Sequence, residues 1–267
     1  MRRGRAARRQ TRRFAARPVA LALSVLAVLA GAAVAWTVLR SDDGGDGGPP
    51  RAAIVDQLSV NLPNAEFIEQ ATATLEGAGY IVDYYPGEQT DVEFYRRLPV
   101  LDYDVLVFRN HADRLQAIEP SGERFDEVIL FTSERYDRGR YIDDQAANRL
   151  VIASYAEGNT ETFFGISSRF IKDGMIGEFH GTTVIMMGCE GLLNDSTAQA
   201  FIDRGAETYI SWDETVSVQH TDAAGERLLD LLYAQGLPAA AAVDQTMAEL
   251  GPDPFFGSSL LAYPSGN

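Results

Sequence analysis

Beyond residue 50, short apolar runs alternate with stretches of helical periodicity, and this alternation constrains the fold more than any other feature of the chain. Residues 52–58, 80–84, 105–109, 183–187, 208–211 and 260–263 read as strands, being short, mostly apolar and bounded by polar or glycine-containing turns. Residues 65–78, 92–98, 162–172, 197–204, 221–234 and 239–250 read as helices, because apolar residues recur there every three or four positions. Strands that alternate with helices pair in parallel, since each helix carries the chain back across the sheet. An α/β fold with a mostly parallel sheet, covered on both faces, is therefore expected. Residues 128–132 and 150–153 read as an additional hairpin between the third and fourth core strands.

The first 50 residues are of another kind. Residues 1–18 carry eight arginines and no acid, and residues 19–39 form an uncharged run dominated by Ala, Leu and Val. At ~1.5 Å per residue such a run crosses the ~30 Å of a bilayer's hydrocarbon core, so one N-terminal transmembrane helix is expected. Crowding of arginine before the run assigns residues 1–18 to the cytoplasm and the rest to the extracytoplasmic side of a cell membrane. A secreted product of signal cleavage is the alternative. Ala33-Val34-Ala35 fits a small-residue cleavage site and Arg12-Arg13-Phe14 is similar to a twin-arginine signal, although the run exceeds the usual ~7 to 15 apolar residues. Residues 40–50, rich in Gly, Asp and Pro, read as a flexible linker to a single domain at 51–267.

Charge and motif content narrow the function. The chain has a formal charge of −15, and nine of its 23 basic residues lie at or before Arg40. The remainder holds 14 basic against 38 acidic residues, about −24, which argues against a nucleic-acid partner. No glycine-rich loop opens a helix after the first strand, and three scattered histidines with one cysteine lack zinc-ligand spacing. Neither a cofactor nor a metal is expected.

In parallel sheets, reactive groups collect at the carboxyl ends of strands. Here residues 105–109 run into Asn110-His111-Ala112-Asp113, and residues 183–187 run into Gly188-Cys189-Glu190-Gly191. Adjacent strands would bring His111 and Cys189 to one rim. A thiol with an ordinary pKa of ~8.5 is mostly protonated near neutrality, and an imidazole that takes its proton makes it a nucleophile. Gly188 allows close backbone approach, so the Cys189 N–H can face a developing oxyanion. A lone cysteine is equally open to burial as a small hydrophobe or to pairing between chains. Asp113 either orients His111 or simply begins the next segment. His180 belongs to the opposite end of the sheet, and His220 to the start of a helix. Asp56, Asn61 and Asn64 fall at the same rim as His111, with helix capping the simplest role for Asn64.

At these residues the chain resembles the caspase-like superfamily of cysteine peptidases, clan CD, and especially its gingipain-like and CHAT-domain branches. The matching stretches are FYRRLPVLDYDVLVFRNHAD, a strand leading to histidine, and VIMMGCEGLLNDSTAQAFIDRGAETYISWDETVSVQH, a strand leading to cysteine, then a helix, a turn and another strand. The resemblance covers most of residues 51–250. It implies a three-layer caspase-like sandwich, a catalytic dyad of Cys189 and His111, and an oxyanion hole drawing on Ala112 and Gly188. It further implies a polypeptide substrate, bound by loops that hold Glu190, Trp212 and Asp213; an acid at the base of such a pocket favours Arg or Lys at the cleavage position, and ordinary surface acidity in a body this negative is the alternative. Relatives commonly have Gly where this chain has Ala112. An inactive binding or sensory module on the same fold is the alternative function.

Overall fold

A computed structural model describes residues 48–118, 124–155 and 161–264. The basic arm, the apolar run at 19–39 and most of the linker lie outside the described residues. Among those described, no helix is long and apolar enough to cross a membrane. Residues Pro49–Asn267 fold as one unit by backbone contacts.

The elements, in chain order, are β1 (Arg51–Asp56), α1 (Ala65–Gly77), β2 (Ile81–Pro86), α2 (Val92–Arg97), β3 (Val105–Arg109), β4 (Ala112–Ile118), β5 (Arg124–Arg135), α3 (Ile142–Ala146), β6 (Leu150–Ala153) and β7 (Phe163–Ile166). There follow β8 (Thr182–Met186), α4 (Ser196–Asp203), β9 (Ala206–Trp212), α5 (Val218–Leu229), α6 (Ala239–Leu250) and β10 (Leu260–Tyr263). The main sheet has the order β10-β9-β8-β3-β1-β2. It is parallel apart from β10, which runs antiparallel to β9.

Alternating side chains divide each central strand between two cores. Ala53, Val55, Leu106, Phe108, Val184 and Met186 pack on one face, against α2, α4 and the second sheet. Ala52, Ile54, Val105, Val107, Ile185 and Met187 pack on the other, with Phe67 and Leu75 of α1 and Leu228 of α5. Both faces of the sheet are thus covered, which is why these strands read as continuous apolar runs.

Two expectations are corrected. Residues 128–132 and 150–153 do not pair as a hairpin, because β7 lies between them in a second, antiparallel sheet of order β4-β5-β7-β6. The segment expected to be helical from 162 to 172 begins instead as β7. Phe163, Phe164 and Ile166 are all buried, so no alternation marks them as a strand. Gly165 fits closely between Ile129 and Ala153, where an added Cβ would come within 3.1 to 3.3 Å of both side chains. Helical backbone follows only from residue 168, ending in a π-helix at Phe170–Gly174.

Candidate functional site

β3 and β8 are neighbours, with Phe108 opposite Met186. Met187 N–H donates to the Phe108 carbonyl at 2.7 Å, which carries the pairing to the strand ends. One residue further, Gly188 lies so close to Asn110 that an added Cβ would stand 2.2 Å from its carbonyl oxygen. His111 and Cys189 each follow directly after this contact, so the backbones bearing them share one rim. Glycine is needed at 188 for space and not for an unusual backbone angle.

The His111 main chain is held on both sides. Its N–H donates to Gln57 Oε1 at 3.0 Å, and its carbonyl accepts from Phe131 N–H at 3.0 Å and Asn110 Nδ2 at 2.7 Å. The imidazole packs against Tyr155, with centroids 4.7 Å apart, and against Phe131 at 6.0 Å. Its Nε2 lies 3.4 Å from Asn61 Nδ2. Burial, aided by the nearby Arg109 guanidinium, pushes the imidazole from its ordinary 6.5 down to about 4, so the ring is neutral at neutral pH.

Cys189 is half-buried against the α1/α5 core, and its Sγ is 3.6 Å from the Val216 carbonyl oxygen. A carbonyl can only accept, so the sulfur is the donor in this contact. Burial is the largest effect and pushes the thiol up; the backbone hydrogen bond at Val216 opposes it, and the Glu190, Asp113 and Asp253 carboxylates add to the rise. No hydrogen bond joins the thiol to the imidazole, and each side chain has partners of its own.

The second sheet contributes the edge beside them. Phe131 N–H bonds to the His111 carbonyl, so in the antiparallel ladder residues 111, 113 and 115 face β5 while Ala112 and Arg114 turn their N–H groups away from it. β4 is the outer strand, and Arg114 N–H, on that free edge, reaches Glu190 Oε2 at 3.1 Å. Ala112 N–H emerges on the same side of the strand.

A polar hub that sequence reasoning missed lies beneath the rim. Arg109, 1% exposed, donates through Nε and Nη2 to the two Asp222 oxygens at 2.7 and 2.9 Å, and through Nη1 to Asp56 Oδ1 at 3.1 Å and to the Leu62 carbonyl at 2.7 Å. Asn64 caps α1 by accepting from Phe67 N–H at 3.2 Å, and donates to Asp222 at 2.8 Å. An Arg ending a buried strand was the only sequence signal. Above the hub is a cleft of about 400 Å³ lined by Leu62, Asn64, Glu66, Arg109, Val218 and Glu226, among others. Leu62 adjoins Asn61, and Val218 stands two residues past Val216, so the cleft walls connect directly to the partners of His111 and Cys189. Glu66 and Glu226 bring two carboxyl groups to the cleft, and burial, then Glu66 and Asp222, hold the Glu226 carboxyl above its ordinary value.

The other candidates have structural partners. Trp212 is a correction: its indole is fully buried among Ile185, Ile210 and Leu228 and donates to Thr221 Oγ1 at 2.9 Å, so it fills the core and does not line a groove. Asp213 ties the end of β9 to the segment before β10, accepting from Ser259 N–H at 2.7 Å. Asp113 accepts from Arg114 N–H, also at 2.7 Å, and makes no bond to the His111 ring. His180 is exposed beside Asp102, at the opposite end of β8 from Cys189. His220 stacks on Trp212 and meets the Gly251 carbonyl. Among the described residues, no cluster of His, Cys, Asp or Glu is arranged to hold a metal ion. No protein-family model matches this chain, and no curated protein matches it.

Proposed function

We propose that the chain is a membrane-anchored, extracytoplasmic cysteine endopeptidase of the caspase-like type, with its body as the three-layer sandwich of that superfamily. The observation that carries this reading is the close approach of Asn110 and Gly188, because His111 and Cys189 are the next residues after that contact on two neighbouring strand ends. In this mechanism His111 takes the Cys189 proton and the sulfur attacks a peptide carbonyl, forming the C–S bond. The Ala112 and Cys189 N–H groups hold the oxyanion. Collapse breaks the C–N bond, His111 returns the proton to the leaving amine, and water then hydrolyses the thioester. Before attack, Sγ must release the Val216 carbonyl and the imidazole must turn from Asn61. Catalytic contacts commonly tighten only with substrate bound. The acidic side chains Glu66 and Glu226 of the cleft favour substrates with Arg or Lys near the scissile bond.

A second reading, an inactive binding or sensory module, draws support from the neutral, separately partnered side chains. The test compares wild-type protein with Cys189→Ala against fluorogenic peptides carrying Arg, Lys, Asp or Leu at the cleavage position. The peptidase reading expects cleavage to vanish in the variant and to be fastest after a basic residue. Equal turnover by both proteins removes it.

A further inference from the structure

Glu190, the residue after the candidate nucleophile, has a φ of 60°. Glycine enters this left-handed region freely, whereas a residue with a side chain does so under strain. Such strain persists only where the surroundings over-determine the conformation, and here they do. Glu190 N–H donates to the Glu214 carbonyl at 3.1 Å. Its Oε1 accepts from Thr215 Oγ1, also at 3.1 Å, and its Oε2 accepts from Arg114 N–H, which is shared with Asp113 Oδ1. Residues 214 and 215 lead directly to Val216, the thiol's partner. Arg114 stands two residues past Ala112 on the same free edge of β4.

We propose that Glu190 is a positioning residue for acyl transfer: its carboxylate clasps the free edge of β4 to the loop carrying Cys189, and so sets the distance between the Ala112 N–H and the sulfur. The inference rests on the peptidase reading. A carboxylate is suited to the task because both oxygens accept, one from each donor. Glutamine at this position can keep both contacts by accepting from Arg114 N–H with its one oxygen and donating to Thr215 Oγ1, but it lacks the charge that strengthens them. Glycine keeps the backbone angle but has no clasp.

The experiment separates positioning from folding by using two reactions of the same sulfur. Acylation by p-nitrophenyl acetate passes through a tetrahedral oxyanion, whereas alkylation by iodoacetamide does not. In the full chain, Glu190→Gly is expected to acylate about tenfold more slowly or worse, in line with partial loss of one oxyanion donor. Its alkylation rate should stay within about threefold of wild type, and Glu190→Gln should fall between the two proteins in acylation. An unchanged ratio of acylation to alkylation in Glu190→Gly overturns the inference, and so does a parallel fall in both rates, which would mark Glu190 as structural only. Cys189→Ala distinguishes the two levels. Burst acylation persisting in that variant removes the peptidase reading itself, whereas acylation that depends on Cys189 but not on Glu190 removes only the clasp.

Discussion

At the scale of single residues, Asn61 governs what His111 can do. Its Nδ2 can only donate, so the Nε2 it faces accepts and the ring proton sits on Nδ1. With its pKa near 4, the imidazole is protonated only in acid, and a reaction that needs it as a base loses rate as pH falls toward that value. Asn61→Asp places a carboxylate at Nε2, favours the charged ring and raises its pKa. The acid limb of kcat/KM should accordingly move up by about one pH unit or more. A limb that stays in place would mean that His111 is not the titrating base. In the sequence His111 stood out by type and by its place at a strand end, and Asn61 only as a residue of the same rim, but Gln57 and Tyr155 did not stand out. The three partners come from 54 and 50 residues before it and 44 after, and no local pattern relates such positions.

At the scale of elements, the rim depends on two strand ends packed without slack and on one buried cation. Gly188→Ala drives a methyl into the Asn110 carbonyl and the Met186 side chain, at 2.2 and 2.6 Å, so β3 and β8 must part. Overpacking of this kind costs about 2 kcal/mol, roughly 4 to 8 °C of Tm for a body of this size. A melting curve unchanged within 1 °C, a rough threshold, would contradict the close approach. Arg109→Met leaves Asp56 and Asp222 buried without their shared cation, which costs about 3 to 5 kcal/mol. Urea denaturation measures it, and a loss under about 1 kcal/mol would mean that water reaches the hub. Boundaries of the six main-sheet strands were legible to within about two residues. β7 was not, since a strand buried on both faces carries no alternation and its Phe and Ile spacing imitates a helix.

At the scale of the whole molecule, the excess of acid acts on everything at once. A net charge of about −24 beyond Arg40 repels itself in the compact state, and salt shortens the range of that repulsion from ~10 Å at 0.1 M to ~3 Å at 1 M. Tm should therefore rise by several degrees between 0.05 and 0.5 M KCl at pH 7. A falling Tm would point instead to exposed ion pairs such as Arg114 with Asp126 as the electrostatic interactions that matter most. The sequence by itself determined the α/β class, the existence of most elements and the strand ends where reactive side chains emerge. These follow from local periodicity, which a strand or helix imposes on its own residues. Only the tertiary structure decided that β3 lies beside β8, that β7 separates β5 from β6, that Trp212 belongs to the core and that Glu190 reaches Arg114. Each of these depends on contacts between residues distant in the chain, whose free energy no single segment encodes.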